Sequence, residues 1–222
     1  MTNHPFAHSF DELPATLPVF PLPGALLLPN GKLPLNIFEP RYLNMCFDAL
    51  KADRLIGMIQ PRENSLGGAT SDLYETGCAG RITSFNETDD GRLLITLTGV
   101  IRFSVKDEVQ TTRGYRRVVP EWDGFAGDLQ LDENQNGSID RDRLLAAVRA
   151  YFDNNGMTAN WDVIEEAPAE RLVTSLAMIC PFETQEKQAL LECGSLEDRA
   201  NVMITLMEMS AHDGSADNPV RH

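Results

Sequence analysis

The side chains that most often do covalent chemistry are badly placed in this sequence. Its four histidines are His4, His8, His212 and His222, all near the ends of the 222-residue chain. Histidine is the commonest general base and the usual partner of a serine or cysteine nucleophile. A serine–lysine dyad dispenses with it, but the lysines are Lys32, Lys51, Lys106 and Lys187, and none sits in a recognisable dyad context. No G-x-x-x-x-G-K-[ST] loop is present to cradle phosphates, and no G-x-G-x-x-G. Paired carboxylates could be drawn from 33 acidic residues, but spacing alone locates no pair. The expectation is a protein that is not an enzyme and takes no cofactor.

Metal chemistry fares no better. Cys46, Cys78, Cys180 and Cys193 form no C-x-x-C pair, and they read as buried, reduced thiols. Asp132, Asn134, Asn136, Gly137, Ile139 and Asp140 match early positions of a calcium-binding loop, yet Arg143 stands where a bidentate glutamate is needed. A polar linker with Asp140 capping the next helix is the simpler reading. Met178, Met203, Met207 and Met209 offer either an adaptable apolar surface or core filling. Arg113, Arg116 and Arg117 form the one basic cluster, and neighbouring strand residues point to opposite faces.

Charge excludes further classes. The net charge is −14. Residues 1–124 hold 12 basic and 15 acidic side chains; residues 125–222 hold 7 and 18. A nucleic-acid binder needs a basic footprint, and neither half has one. The acidic balance also disfavours anionic membranes. No run approaches the roughly 20 apolar residues of a membrane span, and the start of the sequence lacks the marks of a signal peptide. A cytoplasmic protein is expected.

The elements that must position any site follow from punctuation and period. Pro18, Pro21, Pro23, Pro29 and Pro34 cut residues 13–38 into short strands that no helix can cross. Pro40 then opens a helix after Glu39, with Leu43, Cys46, Phe47 and Leu50 at helical spacing. Strands are expected at 55–60, 74–86, 92–105 and 115–119, with Asp89-Asp90-Gly91 as a hairpin turn and Gly77 and Gly80 marking bulges or bends. Residues 125–138 read as a linker. From 139 to 211 the period is helical, giving a four-helix unit. Residues 1–12 and 212–222 read as tails.

The stretch LPVFPLPGALLLPNGKLPLNIFEPRY, followed in order by LIGMI, GCAGRI and LTGVIRF, resembles the amino-terminal substrate-binding domain of Lon-type ATP-dependent proteases. The resemblance spans nearly the whole sequence. It implies an α+β fold: a PUA-like β-barrel over 13–124 with one inserted helix, then a C-terminal helical bundle. It also implies polypeptide binding without the family's ATPase and peptidase parts. Candidate contacts are the Leu26-Leu27-Leu28 run and the loop 62–70, with Glu39, Arg41 and Tyr42. Glu39 and Arg41 either flank a peptide groove or serve as helix cap and ion pair. The partners expected are unfolded or apolar polypeptide segments, held at strand edges or in a groove between barrel and helices, and a separate protease or chaperone that receives them. The competing expectation is a small-molecule or enzymatic pocket inside the barrel.

Overall fold

The computed structural model describes residues 9–62, 72–129 and 139–216, with side chains to 210. The protein divides into two compact units, Met1–Leu131 and Asp132–His222.

The first unit is a mixed six-stranded sheet with one α-helix. Its strands are β1 (Leu17–Pro21), β2 (Lys32–Ile37), β3 (Leu55–Ile59), β4 (Thr76–Glu87), β5 (Leu93–Val109) and β6 (Arg116–Glu121). The order is β2-β5-β4-β3-β1-β6, and β5 also pairs with β6. The sheet therefore curls back on itself at one end and is not a clean barrel. Strand β5 makes the curl possible: Leu93–Thr98 pair with β2, while Ser104–Val109 pair with β6. β1 lies parallel to β3 and antiparallel to β6. Of the irregularities expected at Gly77 and Gly80, one register shift on β5 falls between Ala79 and Gly80; the pairing is regular at Gly77, and a second shift lies between Ile82 and Ser84. Pro120, expected to end β6, lies within it.

Inside the curl, Leu17, Val19, Leu55, Ile59, Ile101, Phe103 and Val118 pack with Trp122. The Phe103 and Trp122 rings meet edge to face, with centroids 5.8 Å apart. The residues expected to open the linker belong to this core. Asp123–Leu129 is a 3-10 segment whose Phe125 and Leu129 pack on the cluster, and whose Asp128 pairs with Arg102. Residues 130–138, which carry most of the calcium-loop resemblance, lie outside the described residues.

Helix α1 (Pro40–Leu50) starts at the expected proline, but its buried face is Tyr42, Met45, Cys46 and Ala49. Phe47, expected to face inward, is 40% exposed. The face is turned because Tyr42 and Met45, not Leu43 and Phe47, meet the sheet side.

The second unit holds five described helices, not four: α2 (Arg141–Asn154), α3 (Trp161–Glu166), α4 (Ala169–Ile179), α5 (Thr184–Glu192) and α6 (Leu196–Ala216). The additional helix is α3, capped by the Asn160 side chain accepting from Val163 N–H. Asp140 caps α2 in the same way, accepting from Arg143 N–H at 3.0 Å. Gly156 follows α2 in the left-handed region, φ 62°. α5 has Glu183 at its N-cap. α6 runs past the expected end at 211, so His212 lies on a helix. Met203 and Met207 are fully buried, which makes them core filling; Met209 is exposed. Among the described residues, no helix is long and apolar enough to cross a membrane.

Candidate functional site

Where β1 ends and α1 begins, the first unit is indented by a groove of about 470 Å³. One wall is Phe20 to Pro23, the segment leaving β1. The other is Pro34, Leu35 and Asn36 of β2, then Phe38 and Glu39 leading to Arg41 and Tyr42 of α1. Prolines explain the shape. A proline cannot donate to a ladder: Pro34 lies on β2, the end strand, and Pro21 closes β1, past the Leu17–Val19 stretch that β6 covers.

Aromatic rings form its apolar part. The Phe20 and Tyr42 centroids lie 4.2 Å apart with planes tilted by 39°. The Arg41 guanidinium lies over the Tyr42 ring, 4.6 Å from its centroid. Burial is the main cause pushing the Tyr42 phenol above its ordinary value; Arg41 opposes it. Phe38 stands out from the wall, 61% exposed. A large apolar ring left in water beside an apolar hollow is the informative kind of exposure.

The charged part is self-contained. Arg41 Nη2 lies 2.8 Å from Glu39 Oε2, and Arg41 Nε donates to the same oxygen at 2.9 Å. The Glu39 carboxylate makes no capping bond to α1. Only its backbone carbonyl receives the first helical N–H groups, from Tyr42 and Leu43, each at 2.9 Å. The cap expected from the Glu39 carboxylate is therefore absent, because that group is turned to Arg41. From behind, α1 is held by Asp48, which accepts from Tyr115 Oη at 2.9 Å and pairs with Arg113 Nε at 2.7 Å.

The structure brings Glu39, Arg41 and Tyr42 together on one groove. It places Leu26, Leu27 and Leu28 elsewhere: they are 2%, 1% and 0% exposed. A guest polypeptide cannot reach them in this structure. They are interior because Gly80 and Gly99 on β4 and β5 leave them room. Arg62 begins the expected contact loop and is engaged with the Leu73 carbonyl and the Tyr74 ring; residues 63–70 lie outside the described residues. The basic cluster is divided as strand alternation requires, with Arg116 on Glu108 and Arg117 on Thr16. Phe20, Pro23, Leu35, Asn36 and Phe38 were not foreseen as site residues. The signal was present in Pro34, whose missing N–H suits the outward side of an end strand.

Burial dominates the thiols. Cys46 and Cys180 are fully buried, and burial pushes the Cys46 thiol to about 12 and the Cys180 thiol to about 11. Neither is a thiolate nucleophile near neutral pH. Among the described residues, no group of three or more His, Cys, Asp or Glu side chains is arranged to hold a metal ion. The raised thiols predict alkaline sensitivity. An acid raised in the fold contributes stability that is whole below its ordinary value, 9.0 for Cys46, and is lost as pH rises toward the folded value. The melting temperature is expected to fall as pH rises from about 9 toward about 12, and to fall less in Cys46→Ala when both proteins are followed by circular dichroism. Lys187, lowered by burial, works in the opposite direction in the second unit.

Comparison with known proteins gives a consistent result. A family model described as the ATP-dependent protease La (LON) substrate-binding domain matches residues 16–209. Lon protease 2 of Myxococcus xanthus is 24% identical over 198 residues, covering 89% of this chain and 24% of that protein. Lon protease of Anaeromyxobacter dehalogenans is 28% identical over 200 residues, covering 89% of this chain and 23% of that protein. The sequence thus spans about a quarter of the length of these curated relatives. Among solved structures, the Lon N-terminal domain protein from Xanthomonas campestris superposes with a TM-score of 0.60 at 20% identity, covering 86% of this chain and 97% of that one. The N-terminal domain of Mycobacterium avium complex Lon protease gives 0.60 at 12% identity, covering 87% and 98%. These two likenesses are of fold.

Proposed function

The chain belongs to the ATP-dependent protease La (LON) substrate-binding domain family, and on that premise we propose that it binds exposed apolar segments of other polypeptides in the Phe20–Tyr42 groove, without covalent chemistry. The observation that carries the reading is the groove itself: aromatic and proline walls, an exposed Phe38, and a charge pair already neutralised. Unfolded polypeptides expose the apolar side chains that such walls remove from water. An adaptor role, handing bound polypeptides to a separate protease or chaperone, extends the same reading.

The alternative of a small ligand inside the curled sheet is disfavoured by packing. A Cβ added at Gly57 or Gly77 would meet the Phe103 ring at 2.9 Å and 2.5 Å, so that interior is filled by side chains.

Fluorescence polarisation with a labelled apolar peptide tests the proposal. Phe38→Ala is expected to weaken binding about tenfold while the melting temperature stays within a degree or two, because an exposed ring contributes little to folding. Peptide affinity no greater than that of an unrelated acidic protein would remove it.

A further inference from the structure

Strand β2 ends the sheet. One edge meets β5, and among the described residues no strand pairs with the other. The register tells which backbone groups face outward. Gly99 N–H donates to the Gly31 carbonyl at 2.8 Å, and Lys32 follows opposite Thr98. Antiparallel pairs alternate between those that exchange hydrogen bonds and those that do not. Counting in twos from Gly31, the bonding role falls to Leu33, Leu35 and Ile37. The backbone nitrogens and carbonyls of Lys32, Pro34 and Asn36 therefore point away from β5. Pro34 supports this independently: it has no N–H, and an edge strand accepts proline where the nitrogen faces outward. Pro34 and Asn36 both line the groove.

We infer that the groove holds its guest as an extended segment, by backbone hydrogen bonds to the outward N–H and carbonyl of Asn36. This deepens the proposed function and rests on it. Charge complementarity singles out the occupant. The full charges in the lining, Glu39 and Arg41, neutralise each other. What remains to be matched are backbone partial charges, and a neutral extended backbone matches them, whereas an ionic ligand meets no uncompensated opposite charge.

Pro34 sets the limit of the pairing. It offers a carbonyl and no N–H, so a guest strand cannot zip along β2 and the edge cannot template a growing sheet. Side chains of an extended guest alternate between two sides. Only every second residue then meets the aromatic lining, and a segment alternating apolar with polar residues satisfies the groove.

The test titrates a fluorescent peptide of about ten residues, alternating Leu or Phe with Ser, against the full-length protein. A series of the same peptide replaces one amide at a time by an ester, which deletes a single N–H. One ester position is expected to weaken binding about tenfold while the others change it little. Asn36→Pro, which loses the donor, binds about tenfold more weakly at an unchanged melting temperature. Esters tolerated at every position, with Phe38→Ala still impairing binding, overturn the backbone pairing and leave the groove reading intact. If Asn36→Pro does not fold, the ester series decides alone. A peptide that fails to bind in every version removes both.

Discussion

A Gly99→Ala variant is expected to lose most of the stability of its first unit, by ~4 kcal/mol or more. The reason is a contact between backbones. A Cβ on residue 99 would sit 2.0 Å from the Leu28 carbonyl oxygen, 2.7 Å from its carbon and 3.2 Å from Pro29 Cα. None of these is the end of a movable side chain. The turn they belong to is bonded to β5 on both sides of the contact: Gly99 N–H donates to the Gly31 carbonyl at 2.8 Å, and Asn30 N–H donates to the Gly99 carbonyl at 3.0 Å. Asn30 already sits in the left-handed region, φ 64°, where a non-glycine residue is uncommon. Moving the turn away would break both bonds and draw Leu26, Leu27 and Leu28 out of the interior. Gly80→Ala is the control. Its added carbon meets Leu27 Cδ2 at 2.5 Å, the tip of a side group that can turn, and a cost of about 1–2 kcal/mol is expected. Urea unfolding monitored by tryptophan fluorescence ranks the two, and equal midpoints would show that the backbones do not approach so closely.

The second large effect belongs to Asp128. Arg102 is buried on β5, and its Nε and Nη2 donate to Asp128 at 2.9 Å and 2.8 Å. The Arg102 backbone N–H donates to the same carboxylate at 2.9 Å, and the Phe125 ring lies 4.8 Å from the guanidinium carbon. Asp128→Ala leaves this guanidinium without its carboxylate partner in a buried place, and a loss of about 3–5 kcal/mol is expected. Replacing both partners, Arg102→Met with Asp128→Leu, is expected to recover most of it, since the desolvation cost goes with the charges. Thermal melts of the single and double variants form the test. A double variant no more stable than the single would mean that the pair, and not burial of a lone charge, sustains the fold.

Asp128 also shows where sequence reasoning stops. In GFAGDLQLDENQNGS the aspartate is one acid among several in a glycine-bearing polar run, and local composition argues for a linker. Its partner Arg102 lies 26 residues away on another element, and no local signal announces that distance. Start signals were more legible. Pro40 opened α1 and Asp140 capped α2 as expected, because caps depend on residues within one turn. The apolar faces of helices were legible in part. On α4, Leu172, Val173, Leu176 and Ala177 are buried, while Ile179 at its end is 71% exposed. The groove was half legible. Glu39, Arg41 and Tyr42 follow one another around the start of α1, so a local pattern carries all three. Phe20 and Leu35 join them only through the fold of the sheet, and Leu26–Leu28 were misplaced because glycines more than 50 positions later make room for them.

The position of β1 has a consequence for synthesis. Leu17 lies opposite Val118, and β3 supplies only its other flank. A nascent polypeptide leaving the ribosome therefore carries β1 with one side bare until about one hundred further residues have been added. At ~5–20 residues per second that wait lasts seconds, far longer than local helices or hairpins take to form. Newly made copies of this protein must pass through a stage in which they display the same unpaired, greasy backbone that the finished molecule is proposed to seek in others.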